Sequence, residues 1–325
     1  ATTVDALQDQ IIGGETGETL GDTLDATGLT TGVVLNLTGA ESGTIADPSG
    51  TLTFTEIENV LLGSGNDTVN GSGGNDKADG GLGNDSLSGN GGNDTLAGGG
   101  GDDTVDGGTG DDSLAGGTGK DSLLGGTGND TLDGGDGSDT LAGGAGNDVL
   151  NGGANDDDIR VGAGDVANGG DGDDEFTVDS ALTGATGVTI TGGEGAEEAI
   201  IDPTNNPGGR IGDVLDLRGL GTVTVAYTNN DPATEAGTAT YTNSAGQTVS
   251  IQFSQIEQIL TDADGRVDGT AGNDSMGAGY TDAQGEVIDG WDGLNDTILA
   301  GAGHDTVNSG AGNDSVDAGT GNDLI

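Results

Sequence analysis

Aspartate recurs at every ninth residue through the first half of this chain, at Asp67, Asp76, Asp85, Asp94, Asp103, Asp112, Asp121, Asp130, Asp139, Asp148 and Asp157. Two places after each stands Val69, Ala78, Leu87, Leu96, Val105, Leu114, Leu123, Leu132, Leu141, Leu150 or Ile159, and ten of these eleven are Val, Ile or Leu. A unit this short, with one large apolar side chain, cannot bury that side chain alone. It must stack on copies of itself. A shortened unit follows around 161–168, and a last one, Gly169 to Thr177, returns Asp174 and Phe176 to phase. The pattern reappears with Asp274 and Met276, is interrupted through 277–289, and resumes with Asp296, Asp305, Asp314 and Asp323. Ile298, Val307, Val316 and Ile325 follow these two places later.

One clean unit reads Gly125-Gly126-Thr127-Gly128-Asn129-Asp130-Thr131-Leu132-Asp133. Gly and Asn supply the positive φ angles of a tight turn. Asn precedes the aspartate at 66, 75, 84, 93, 129 and 147. The remaining three residues predict a short strand, middle side chain inward and its neighbours outward. Two units make one coil with turns on opposite sides, and coils stack about 4.8 Å apart. Consecutive turns on one side should therefore share a site, Asp67 with Asp85 and Asp76 with Asp94. Turn carbonyls plus one carboxylate form an oxygen-only donor set, which suits Ca²⁺ better than the stricter octahedron of Mg²⁺. On the order of nine such sites fit the first array.

Composition decides whether this is a necessity. The chain carries 72 Gly among 325 residues, 57 acidic against 6 basic side chains, and a net charge of −51. One aliphatic side chain per unit is a thin core for a glycine-rich backbone, which loses the most freedom on ordering. The charge adds self-repulsion. Bound cations are the remaining stabilising term, so calcium binding and folding are expected to be one process. The same charge excludes nucleic acid and acidic membrane surfaces as partners. No apolar run approaches the ~20 residues of a membrane span. No cysteine is present, which excludes disulfides, thiolate zinc sites and cysteine nucleophiles.

These units resemble the repeats-in-toxin (RTX) family of hemolysin-type calcium-binding nonapeptides, Gly-Gly-x-Gly-x-Asp-x-(large apolar)-x. The resemblance covers about half of the chain, 63–177 and 269–325. It implies a parallel β-roll, many Ca²⁺ ions held between turns, and export of the unfolded chain by a type I secretion apparatus through a Gram-negative envelope. Lys120, in a turn position usually Asn or Asp, and Ala78, in the core row, depart from the pattern.

Two further regions alternate apolar and polar residues, as half-buried strands do: Val33, Leu35, Leu37; Val223, Val225, Tyr227; and Val249, Ile251, Phe253. They also resemble each other. Asp22–Leu29 matches Asp213–Leu220 at five of eight positions, and Phe54–Leu61 matches Phe253–Leu260 at four of eight. The expected fold is all-β, with β-roll arrays alternating with small, sandwich-like capping modules. Its divisions are a module at 1–62, an array at 63–177, a duplicate module at 178–262 and a second array at 263–325, truncated at its end. Because it begins at Ala1 and stops inside a repeat at Ile325, the chain is read as a piece of something longer.

Nothing else in the sequence points to chemistry. Asp262, Asp264 and Asp268 read as a solvated junction turn, His304 as a turn residue, and Tyr280 and Trp291 as filling for a cap. There is no His-Glu-x-x-His helix and no Gly-x-Ser-x-Gly elbow. The chain is accordingly read as non-enzymatic and extracellular. It would be a calcium-clamped segment of a surface layer, matrix fibre or adhesin, with self-association or cell-surface contacts as its partners. The alternatives are a secretion and folding domain of a larger enzyme or toxin, or an ice- or glycan-binding module suggested by Thr109, Thr118 and Thr127.

Overall fold

The computed structural model describes residues 2–3, 10–12, 22–39, 41–55, 57, 59–179, 187–193, 213–217, 220, 223–227, 236–243, 246–256, 258–260, 267–268, 275–276, 297–301, 304–308 and 315–325. Every regular element among them is a strand. Most of the strands belong to two 13-stranded sheets that face each other.

The nine-residue period builds this arrangement directly. One unit places a strand in the first sheet, and the next places a strand in the second. Units 18 residues apart therefore pair side by side and in parallel, as Leu96 does with Leu114, Leu114 with Leu132 and Leu132 with Leu150. The opposite sheet stacks Val69, Leu87, Val105, Leu123, Leu141, Ile159 and Phe176 in the same register. All these side chains are buried in one continuous cluster. Each contributes roughly 1.5–3 kcal/mol.

The strands of the regular units are longer than the sequence suggests. Thr131–Asp136 is a six-residue strand with alternating burial, as are its neighbours Ser113–Thr118 and Val149–Ala154. The paired glycines thus belong to the strand, and the turn shrinks to three residues. Glycine is required there because Gly134 faces inward against the Asp139 carboxylate and the Gly152 carbonyl. A Cβ would have no room.

The flanking regions extend the roll rather than packing as sandwiches of their own. Val188–Thr191 pairs in parallel with Val166–Asp171 and with Thr248–Ser254, so Ile190 and Phe253 continue the core row of the first sheet. Val214–Asp216 pairs with Glu175–Val178 and with Gln258–Leu260, which carries Leu215 and Ile259 into the opposite row. At the other end, Thr23–Asp25 and Asn59–Leu61 join the first sheet, and Val34–Gly39 joins the second. Edge backbone left by the last repeat is most cheaply satisfied by another parallel strand in register. This explains why the expected separate modules merge with the solenoid.

The two regions share a plan that fits their sequence similarity. Each has a short parallel strand, a three-stranded antiparallel meander and another short strand. The meanders are Val34–Gly39, Ser42–Asp47, Gly50–Thr55 and Val223–Tyr227, Ala236–Thr242, Thr248–Ser254. The matching phenylalanines lie over glycines on the neighbouring strand, Phe54 over Gly43 and Phe253 over Gly237.

The described segments between 267 and 325 form a shorter stack. Val267–Asp268, Thr297–Leu299 and Ser315–Asp317 pair in parallel, and Ser275–Met276 pairs with Thr306–Val307. Ile298, Ala300 and Val307 make its small core, with Val316 against it.

Candidate metal site

Each repeat aspartate sits where a turn enters a strand, so its carboxylate points into the turn below the paired glycines. The aspartates line up as two ladders, one along each edge of the roll. On one edge, the backbone N–H of each residue donates to Oδ1 of the aspartate one coil further on. This links Asp67, Asp85, Asp103, Asp121, Asp139, Asp157 and Asp174 at 2.7–2.9 Å. The other edge runs through Asp76, Asp94, Asp112, Asp130, Asp148 and Asp165 at 2.7–3.0 Å. The pairs expected to share a site, Asp67 with Asp85 and Asp76 with Asp94, are neighbours on these ladders.

The second carboxylate oxygen is the informative one. Oδ2 of Asp67, Asp85, Asp94, Asp103, Asp112, Asp121, Asp130, Asp139, Asp148, Asp157 and Asp174 is buried and has no hydrogen-bond partner. A charged oxygen is not left this way without cost. A backbone carbonyl from the next coil faces the same space. A Cβ added to Gly125 would lie 2.5 Å from both Asp130 Oδ2 and the Gly143 carbonyl, and one added to Gly107 would lie 2.5 Å from Asp112 Oδ2 and 2.8 Å from the Gly125 carbonyl. The absent glycine side chain thus leaves a cradle lined by oxygen. Asp76 and Asp165 are the exceptions: Ser72 closes the Asp76 turn and donates its N–H to Asp76 Oδ2 at 2.6 Å, and Gly162 donates its N–H to Asp165 Oδ2.

Electrostatics describe the same strain. Burial, reinforced by neighbouring carboxylates, pushes Asp85, Asp94, Asp103, Asp121, Asp148 and Asp174 up to about 6, and Asp157 to about 8. Burial also raises Asp67, Asp76, Asp112, Asp130, Asp139 and Asp165. Protons or a cation can relieve this, and at neutral pH a cation is the effective one for the carboxylates held at about 6. Among the described residues no three acidic or histidine side chains converge. The donor set is therefore carboxylate plus carbonyl, spread over successive turns. Oxygen donors of this mixed kind fit Ca²⁺, which takes six to eight of them.

A family model for the RTX calcium-binding nonapeptide repeat matches the chain in four copies, over residues 61–96, 97–132, 133–166 and 292–325. The chain carries RTX calcium-binding repeats. No curated protein matches it. The first three RTX copies run without a gap from Asp67 to Asp165 and leave Asp174 beyond them, and the fourth covers the end of the shorter stack.

In the RTX stack at the end of the chain, the Asp305 N–H donates to Asp323 Oδ1 at 3.1 Å, which repeats the ladder geometry. Asp274, Asp296 and Asp314 lie outside the described residues, as do Asp262, Asp264, Tyr280 and Trp291. Asp268 lies in the strand Val267–Asp268. His304 is a turn residue, its Nδ1 accepting the Asn322 N–H at 2.9 Å. The residues at the Asn position of the RTX unit do the same work elsewhere. Asn84 Oδ1 accepts the Asp102 N–H, and Asp102 Oδ1 accepts that of Lys120. Lys120 has no acceptor to pass on, so that row stops.

Two aspartates escaped the sequence reading. Asp165 occupies a full ladder position, its Oδ1 accepting the Asp148 N–H and its Oδ2 the Gly162 N–H. Its unit is one residue short, so a fixed period steps past it. Asp213 follows Asp174 on the other edge, accepting its N–H at 2.8 Å. The sequence signal was Asp213-Val214-Leu215, the aspartate-x-apolar triplet of every repeat.

Proposed function

We propose that this chain is a secreted structural protein that folds on binding Ca²⁺ outside the cell and serves as a rigid segment of a surface layer, matrix fibre or adhesin. The observation that carries the calcium part is the row of buried, unpartnered Oδ2 atoms, eight of the eleven facing a carbonyl of the next coil. The ligands would be Asp67, Asp85, Asp94, Asp103, Asp112, Asp121, Asp130, Asp139, Asp148, Asp157 and Asp174, joined by Asp76, Asp274, Asp296, Asp305, Asp314 and Asp323. The bound ion supplies the positive charge that the turns lack. The protein's part is to hold a carboxylate and carbonyls around it and to exclude the side chains that would fill the space. A chain of net charge −51 stays extended where calcium is scarce and collapses where it is abundant. This suits passage through a type I secretion apparatus followed by folding outside. Continuity of the roll into Val188–Thr191, Val214–Asp216, Thr248–Ser254 and Gln258–Leu260 supports a stiff rod more than a detachable folding tag.

Electron microscopy of the purified chain at high concentration, with and without millimolar Ca²⁺, tests the structural role. Ordered assemblies that appear only with calcium are expected. Monodisperse monomers under both conditions would overturn it.

A further inference from the structure

The ladder containing Asp174 does not end with the last nonapeptide. Asp174 is followed one coil later by Asp213, although 194–212, nineteen residues, separate Asp213 from the glycine pair Gly192-Gly193. In a regular unit only 136–138, three residues, separate Gly135 from Asp139. The ends of this interrupted turn nevertheless reproduce the turn of a repeat. Gly192 follows Val188–Thr191 as the paired glycines follow Leu132, and Asp213 enters Val214–Asp216 as Asp139 enters Thr140–Ala145.

The oxygens are also in place. Asp174 Oδ2 is buried, 1% exposed for the residue as a whole, and has no hydrogen-bond partner. It faces the position that a Gly169 Cβ would occupy, and the Gly192 carbonyl lies 2.8 Å from the same point. One coil on, a Cβ on Gly192 would meet Asp213 Oδ2 and the Gln255 carbonyl. This is the pairing that Gly125 shows with Asp130 and the Gly143 carbonyl.

From this geometry we infer that calcium binding continues beyond the repeats, with Asp174 and the Gly192 carbonyl, then Asp213 and the Gln255 carbonyl, holding divalent cations across the turn interrupted by 194–212. The inference rests on the calcium reading of the repeats. It makes the strands Val188–Thr191, Val214–Asp216 and Gln258–Leu260 part of the metal-dependent fold. Two other extensions differ. Val33 occupies the aspartate position before the Asp67 coil, its N–H going to Asp67 Oδ1, and Val188 occupies it after Asp165. Neither brings a carboxylate, so each of those ladders ends at its valine.

The test uses the full chain, with Asp213→Asn and Asp130→Asn compared to wild type. Asn keeps Oδ1 as an acceptor for the Asp174 or Asp112 N–H and removes the charge. Bound calcium is counted by equilibrium dialysis, and amide exchange is followed at saturating Ca²⁺. Each variant is expected to lose at least one ion, and Asp213→Asn is expected to lose protection in Val214–Asp216 and Gln258–Leu260 but not in Thr131–Asp136. Gly192→Ala, which fills the cradle, is expected to match Asp213→Asn. If Asp130→Asn loses ions while Asp213→Asn and Gly192→Ala retain the wild-type number, the inference fails and the repeats remain calcium sites. If none loses an ion, the calcium reading itself fails. Uniform loss of protection across both regions in Asp213→Asn would give Asp213 a purely structural role and also overturn the inference.

Discussion

Replacing Asp121 by Asn separates a metal ligand from a structural hydrogen bond, because the two roles change stability with opposite dependence on calcium. Asp121 Oδ1 accepts the Asp103 N–H at 2.7 Å, and Asn keeps that acceptor. What it removes is a buried charge whose Oδ2 has no partner. Burial, with Asp139, Asp103 and Asp102 nearby, raises Asp121 from 3.8 to about 6. At neutral pH that displacement corresponds to about 3 kcal/mol of strain at 1.36 kcal/mol per pH unit, and solvent screening around the turn reduces it to about 1 kcal/mol. The calcium-free roll should therefore gain about 1 kcal/mol from the substitution. With calcium at 100 times the site's Kd, loss of one ion removes about 2.7 kcal/mol, which leaves the variant about 2 kcal/mol less stable. The two effects cancel where RT ln(1 + [Ca²⁺]/Kd) equals about 1 kcal/mol, near four times Kd. Urea unfolding followed by far-ultraviolet circular dichroism across a calcium series measures this, with trimethylamine oxide to keep the low-calcium roll folded. An equal destabilisation at every calcium concentration would refute the ligand role.

Other outcomes follow from the same geometry. Leu132, fully buried between Leu114 and Leu150 in a one-residue-deep core, should lose about 2–5 kcal/mol as Ala in saturating calcium, read as a fall in the urea midpoint. Lys120→Asn restores a side-chain acceptor to the row formed by Asn66, Asn84 and Asp102 and should add about 1 kcal/mol, seen as a higher Tm; no change would show that the row is ornamental. The pH response should reverse with calcium. Burial holds Asp85, Asp94, Asp103, Asp121, Asp148 and Asp174 at about 6 and Asp157 at about 8 when folded, and raises the other ladder carboxylates in the same direction above their value of 3.8 in the unfolded chain. In calcium-depleted buffer, their contribution is thus fully present below about pH 4 and is lost as pH rises through 6 to 8. Acidification from pH 8 to 5 should increase the β signal without calcium and weaken calcium affinity when it is present; a β signal that falls on acidification of the depleted chain would contradict the raised carboxylates.

The roll was legible in the sequence because its period survives in single residues. The row from Val69 to Ile159 and the aspartates beside it fall where a nine-residue count places them. Alternation likewise identified Val33, Leu35 and Leu37 as an inward face, and all three are buried. Strand length was not legible, because glycine carries no side chain to reveal that Gly134 points inward. Asp165 was hidden by a single deletion and Asp213 by an insertion, both of which shift sequence phase while leaving spatial register intact. The separateness of the flanking regions was overestimated for a related reason. Period-two alternation marks a strand, but the strand's partner is settled by which sheet edge is open. For Val188–Thr191 that edge was the roll itself.

The central claim is that buried aspartate ladders make calcium a condition of folding. Its most direct test is a calcium titration of the calcium-depleted full chain at neutral pH, with circular dichroism and bound-ion number recorded on the same samples. The expected result is little β signal at the start and a cooperative rise that tracks the binding of several ions. A chain that holds its full β signal in excess chelator at neutral pH, its ladder carboxylates other than Asp157 charged and without a cation, would contradict the account.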